Sequence, residues 1–108
     1  MPNITGTFSA AGQSASFTPR VGERIAQSGQ FNVALTGTGV GAVQLERSFD
    51  NGATWCPLLA GGVQLYQWSY AGANLSETVE ECEAGVLYRL NDTAHTSGSI
   101  AYRLSPGA

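Results

Sequence analysis

At 108 residues the chain has room for a single domain, and its 43% apolar content is enough to give that domain a buried core. Only 12% of the residues are charged, against roughly 25% in an average soluble domain, so Ser, Thr, Gly, Gln and Asn must cover most of the surface. A formal net charge of −3, with no lysine and the five basic residues scattered as Arg20, Arg24, Arg47, Arg89 and Arg103, excludes the concentrated positive footprint that nucleic-acid binding requires.

The opening residues Met1-Pro2-Asn3-Ile4-Thr5 lack the cationic start and apolar run of a secretory signal, and no apolar run approaches the roughly 18 residues of a membrane span. The protein is therefore expected to be soluble and made in the cytoplasm, with no membrane partner. Residues 1–12, in which Ile4 to Phe8 alternate before Ser9-Ala10-Ala11-Gly12, read as an N-terminal arm or a short strand; residues 13–108 read as one β-sandwich domain. Ala15 and Phe17 mark a strand that stops at Pro19, whose ring fixes φ and removes a ladder donor. Residues 20–30 form the longest polar connection. Val21 and Ile25 allow one helical turn there, and Gly22 and Gly29 prevent a longer helix.

The alternation sharpens at Phe31. Phe31, Val33 and Leu35 take one phase and Asn32, Ala34 and Thr36 the other, the period-two pattern of a strand with one buried face. After turn residues 37–41, Val43, Leu45, Arg47 and Phe49 continue the buried phase. An arginine on that side requires a carboxylate from another strand, or an interface, because a buried unpaired guanidinium is strongly destabilising; Glu46 points the other way. The next stretch, Ser48-Phe49-Asp50-Asn51-Gly52-Ala53-Thr54-Trp55, is a tight hairpin corner. Asp50 turns its carboxylate onto the loop's own N–H groups and Gly52 supplies a positive φ, while the Trp55 indole folds under the turn. This S-x-D-x-G-x-T-W pattern resembles the Asp-box hairpin of sialidase-type propellers and of other extracellular and virion β-proteins. The resemblance implies a folding device built from Ser48, Asp50, Gly52, Thr54 and Trp55, with no catalytic group. A single box without an internal repeat does not make a propeller.

Beyond the corner, Pro57 limits residues 55–59 to an edge or a bulge. Residues 63–70 read as one strand carrying Tyr66, Trp68 and Tyr70 on one phase and Val63 and Leu65 on the other, which fits burial on both sides or an aromatic face for a partner subunit or ligand. Residues 75–83 are acidic, with Glu77, Glu80, Glu81 and Glu83 around Cys82, and read as a solvated strand end and loop; metal binding is the alternative. The last third reads as a hairpin in which Val86, Tyr88 and Leu90 share a phase with Ile100, Tyr102 and Leu104. In-register pairing would bring Arg89 and Arg103 close together on the outward face. Short strands at intervals of roughly ten residues predict an all-β fold, an antiparallel β-sandwich or small barrel of about eight short strands with no significant helix.

The sequence offers little chemistry. His95 sits in Thr93-Ala94-His95-Thr96-Ser97, a predicted turn, and reads as a surface histidine rather than part of a nucleophile–base–acid set. Carboxylate pairs for glycoside cleavage could be drawn from Asp50, Glu46 or the Glu77 to Glu83 cluster, but any acidic protein offers such pairs. Cys56 and Cys82 with His95 fall short of a zinc set, and a reducing compartment favours free thiols over a bridge. Nor do Cys56, Trp68 and Cys82 make an immunoglobulin pin, since Glu80, not a tyrosine, stands two before Cys82. No enzyme, cofactor or metal is expected.

Several segments taken together resemble small structural proteins of tailed phages and prophages: Ala15-Ser16-Phe17-Thr18-Pro19, Phe31-Asn32-Val33-Ala34-Leu35-Thr36-Gly37-Thr38, the block from Val43 to Trp55, and Gly85-Val86-Leu87-Tyr88-Arg89-Leu90 with Ser97-Gly98-Ser99-Ile100-Ala101-Tyr102-Arg103-Leu104. The resemblance covers residues from about 13 to the end. It departs at Cys56 and Cys82, so no disulfide is carried over. It implies a virion component, a capsid decoration or head-fibre subunit that binds the major capsid protein and copies of itself, with a trimer expected, and that stabilises the head from the capsid surface. Tyr66, Trp68, Tyr70, Arg89 and Arg103 are the interface candidates; the bland alternative makes the aromatics core and the arginines solvated. The rival function is a tail-associated host-adsorption module stacking the same aromatics on a cell-surface glycan.

Overall fold

The computed structural model describes residues 4–19, 30–60, 62–81 and 85–106. The polar connection at residues 20–29, with its candidate helical turn at Val21 and Ile25, lies outside them, as do Cys82 and Glu83. The described residues form strands and connecting turns, with no helix. In chain order the strands are β1 (Ile4–Phe8), β2 (Gly12–Gln13), β3 (Gln30–Thr36), β4 (Val40–Ser48), β5 (Cys56–Pro57), β6 (Leu59–Ala60), β7 (Val63–Gln64), β8 (Gln67–Ala71), β9 (Leu75–Glu80), β10 (Leu87–Ser97) and β11 (Ile100–Pro106).

Two antiparallel sheets face each other. One has the order β1-β11-β3-β9; the other has the order β2-β10-β4-β5, with β8 also paired to β4. The sandwich form of the expected all-β fold is therefore the one adopted. Its core follows from alternation. Phe31, Val33 and Leu35 of β3 and Ile100 and Leu104 of β11 point inward from the first sheet, and Val43, Leu45, Tyr88 and Leu90 meet them from the second, each almost wholly excluded from solvent. Burial of this apolar area at about 25 cal/mol per Å² is the main force holding the layers together. Phe31 meets both Phe17 and Tyr88 edge to face, with ring centroids 5.0 and 4.8 Å away. The Phe17 segment reaches this cluster by running beside β10, where Phe17 and Tyr88 exchange backbone hydrogen bonds.

The predicted hairpin of the last third is not formed. β10 pairs with β4 and β2, whereas β11 pairs with β3 and β1, so the chain crosses from one sheet to the other at Gly98-Ser99. That corner packs against the turn between β3 and β4: Gly39 donates its N–H to the Ser99 carbonyl at 2.8 Å, and a Cβ on Gly98 would lie 2.9 Å from the Gly39 Cα. Two backbones this close need glycine at the contact. Alternation gave Tyr88, Leu90, Ile100 and Leu104 a common inward direction, and two facing sheets satisfy that as well as a hairpin would.

The predicted strand over residues 63–70 is likewise two strands. β7 pairs with β6 in a small separate hairpin, the chain kinks at Tyr66, which has φ of 52°, and β8 then pairs with β4. Leu45 donates its N–H to the Tyr66 carbonyl at 3.0 Å, which fixes the kink where the chain changes partner.

Candidate functional site

The hairpin corner after β4 is built as its residues dictate. Ser48 is fully buried, donates its hydroxyl to Asp50 Oδ1 at 2.8 Å and accepts the Gly52 N–H at 2.8 Å. Asp50 Oδ1 also accepts the Thr54 N–H at 2.8 Å, and Asn51 and Gly52 take positive φ values of 59° and 92°. The backbone hydrogen bond from Thr54, followed by the Ser48 hydroxyl, holds the Asp50 carboxyl below its ordinary value. The Trp55 indole lies beside Gly52, as expected, and extends over the Arg89 guanidinium, 4.3 Å from its carbon.

That contact opens onto a polar network on the outer face of the second sheet. Arg89 Nε donates to Glu46 Oε1 at 2.9 Å, and Gln44 and Asn91 donate to Glu46 Oε2 at 2.6 and 3.0 Å. Gln64 reaches Gln44 and Gln13 reaches Asn91, extending the network across four chain segments. Glu46 is on the outer side of β4 yet only 5% exposed, because these side chains close over it. Burial resists its ionisation, but the bonds from Asn91, Gln44 and Arg89 outweigh that resistance and lower its pKa.

A second ion pair joins the two sheets. The carboxylate that Arg47 requires is Glu81, just beyond β9, with Nη1 to Oε1 at 3.0 Å. The Tyr88 hydroxyl donates to the same oxygen at 2.7 Å. Burial first, and then the Glu81 carboxylate, push the Tyr88 phenol well above its usual range, so it remains a donor. Glu81 is buried rather than solvated; Glu77 and Glu80 are exposed. The described residues contain no cluster of three or more His, Cys, Asp or Glu side chains placed to hold a metal. Cys56 is a free, half-buried thiol.

His95 is not on the surface. Register shifts in β10 between Asp92 and Ala94 and between His95 and Ser97 turn Asp92 and His95 to the same side, and only 6% of the His95 side chain is exposed. Nδ1 lies 2.6 Å from Asp92 Oδ2 and Nε2 lies 2.8 Å from the Gly98 carbonyl. Both neighbours are acceptors, an arrangement that a ring protonated at both nitrogens satisfies in full. Asp92 first, and the Gly98 carbonyl next, raise the His95 pKa above its ordinary value. With Nε2 committed to a carbonyl, the pair is not arranged as a general base for a neighbouring nucleophile. The other Asp92 oxygen, buried and with no hydrogen-bond donor among the described residues, rests against Gly41, where an added Cβ would lie 3.1 Å from it.

No family model matches this chain, and no curated protein or solved structure does either.

The interface candidates are dispersed by the fold. Tyr70 is 2% exposed and donates its hydroxyl to the Gly37 carbonyl at 2.8 Å, so it is core. Tyr66 and Trp68 are half-buried and pack against that core, with ring planes tilted by 50°. Their phase faces inward because β8 sets Trp68 opposite Val43 and Tyr70 opposite Gly41. Arg89 is engaged by Glu46 and Trp55. Arg103 is exposed on the outer face of the other sheet, so the expected Arg89–Arg103 juxtaposition does not occur. Among the described residues the large exposed apolar side chains are Val40 at 36%, Phe49 at 56%, which leaves the buried phase expected for it because the chain turns there into the hairpin corner, and Leu59 at 58%, Val63 at 67% and Leu65 at 40%, which group around the β6–β7 hairpin. The apolar residues flanking Gly61-Gly62 were the sequence signal for this patch, and the neighbouring aromatics obscured it.

Proposed function

We propose that the chain is a structural subunit of a tailed-phage virion, a capsid decoration or head-fibre protein that sits on the capsid surface, binds the major capsid protein and associates with copies of itself. The observation that carries this reading is the β6–β7 hairpin, which presents Leu59, Val63 and Leu65 to solvent while the main ionisable clusters are engaged with one another inside the fold. A two-stranded hairpin of this size is marginal alone, and aliphatic side chains displayed at its tip gain stability when a neighbour covers them. The resemblance noted in the sequence supplies the virion context.

Glycan adsorption is less well supported. Stacking on sugar rings calls for an exposed flat aromatic platform, and Tyr66, Trp68 and Tyr70 turn inward. The test is co-sedimentation of the purified protein with capsids of the same virus stripped of it. Saturable binding that weakens at least tenfold in Leu59→Ser/Val63→Ser, with the fold intact by circular dichroism, supports the proposal. Absence of capsid binding together with glycan-array binding would transfer the function to the rival.

A further inference from the structure

We infer that β1 is a self-pairing edge, and that two copies of the chain join antiparallel through it across a two-fold axis to make one continuous eight-stranded sheet. The two edges of the four-stranded sheet differ in kind. At the β9 edge, Glu77 stands opposite Val33, a fully buried residue, so the register puts a carboxylate on the core-facing side of that edge strand, and Glu80 follows on the outer side. A charge on the inward phase is a device that keeps an edge from accepting another strand. Across a two-fold axis it would also oppose its own image.

β1 carries none of these protections. Its sequence Ile4-Thr5-Gly6-Thr7-Phe8 has no charge, no proline and no bulge. It pairs with β11 without interruption, and no described strand takes its other side. Two-fold pairing centred on Gly6 would set Thr5 against the partner's Thr7 on the outer face and Ile4 against the partner's Phe8 on the core face. Both are favourable cross-strand pairs, and no like charges meet. Tyr102 lies across Gly6, with its hydroxyl and ring where a side chain would otherwise stand, and that hydroxyl has no partner among the described residues. At such an axis the two Tyr102 rings flank the seam. Head-to-tail pairing of β1 with a second copy's β9, which would propagate into a filament, is opposed by Glu77. The isologous pair therefore closes on itself, in place of the trimer expected from the sequence.

This inference is independent of the virion reading and is tested on the free protein. Sedimentation equilibrium over a wide concentration series should show the mass rising to twice that of the monomer. Hydrogen exchange at the backbone amides of β1 should slow as the dimer forms. Thr5→Glu/Thr7→Glu, two exposed positions, should hold the protein at monomer mass with an unchanged circular dichroism spectrum, whereas Ser76→Glu on β9 should leave the dimer intact. A wild type that stays monomeric at the highest concentration, a trimer mass, or a dimer that survives the double substitution overturns it.

Discussion

The guanidinium of Arg47 and the carboxylate of Glu81 meet at 3.0 Å across the two layers, one from the five-stranded sheet and the other from the chain leaving the four-stranded sheet. The Tyr88 hydroxyl completes the contact. Removing the negative charge leaves a partly buried cation without its counter-ion. Glu81→Gln should destabilise the fold by about 2 kcal/mol, below the roughly 3–5 kcal/mol of a fully enclosed pair because Arg47 keeps a third of its side chain in water. Urea unfolding measures this, and Arg47→Leu/Glu81→Leu should recover part of the loss, since an apolar pair leaves no stranded charge.

His95 and Asp92 make stability depend on pH in the alkaline direction. The folded state raises the His95 pKa above the ordinary value, so its contribution is complete below about 6.5 and is lost as pH rises through the folded value. Melting temperature should therefore fall between neutral and mildly alkaline pH in the wild type, and much less in His95→Gln. Proton NMR should find the imidazole titrating above its ordinary value; a ring titrating below it would contradict two donated hydrogen bonds.

The hairpin corner acts in the acid direction. Asp50 and Glu46 both have lowered folded pKa values, so what they contribute is present above the ordinary carboxyl range and is lost as pH falls through the folded values. Ser48→Ala removes the buried hydroxyl that accepts the Gly52 N–H and should cost about 1–2 kcal/mol by chemical denaturation. Asp50→Ala should flatten the acid limb of the stability curve. An acid limb identical to that of the wild type would show that the turn does not need the ionised carboxylate.

Arg89 lies between Trp55 and Glu46, so its substitution has an optical signature. Arg89→Ala should cost about 1–3 kcal/mol and shift Trp55 emission to the red, because the indole loses its cover. Arg89→Lys should keep the charge but lose the planar stack and the geometry of the Nε bond, and so recover less than half of that loss. Unchanged emission in both variants would place the indole elsewhere.

Much of the local structure was legible in the residues. Phe31, Val33 and Leu35, and likewise Val43 and Leu45, declare an inward face through period two alone, and the Ser48-to-Trp55 corner closes through hydrogen bonds within eight residues. The requirement that Arg47 find a carboxylate also followed from its phase. The identity of that carboxylate did not, because Glu81 is brought to it only when the two sheets stack. His95 could not be read as buried, since the register shifts that turn it inward break the alternation on which such a reading depends.

Alternation states which way a side chain points and is silent on which strand lies beside it. Tyr88 and Leu90 could therefore share a core with Ile100 and Leu104 as hairpin neighbours or from facing layers, and only long-range packing chose the second. That choice separated Arg89 from Arg103, just as the pairing of β8 with β4 turned Trp68 and Tyr70 inward and the separate β6–β7 hairpin left Leu59 and Val63 outside. The one-dimensional pattern determined a two-faced, strand-built domain with a self-contained turn; which surfaces it offers to a neighbour was decided by strand partnership, a property of the folded chain as a whole.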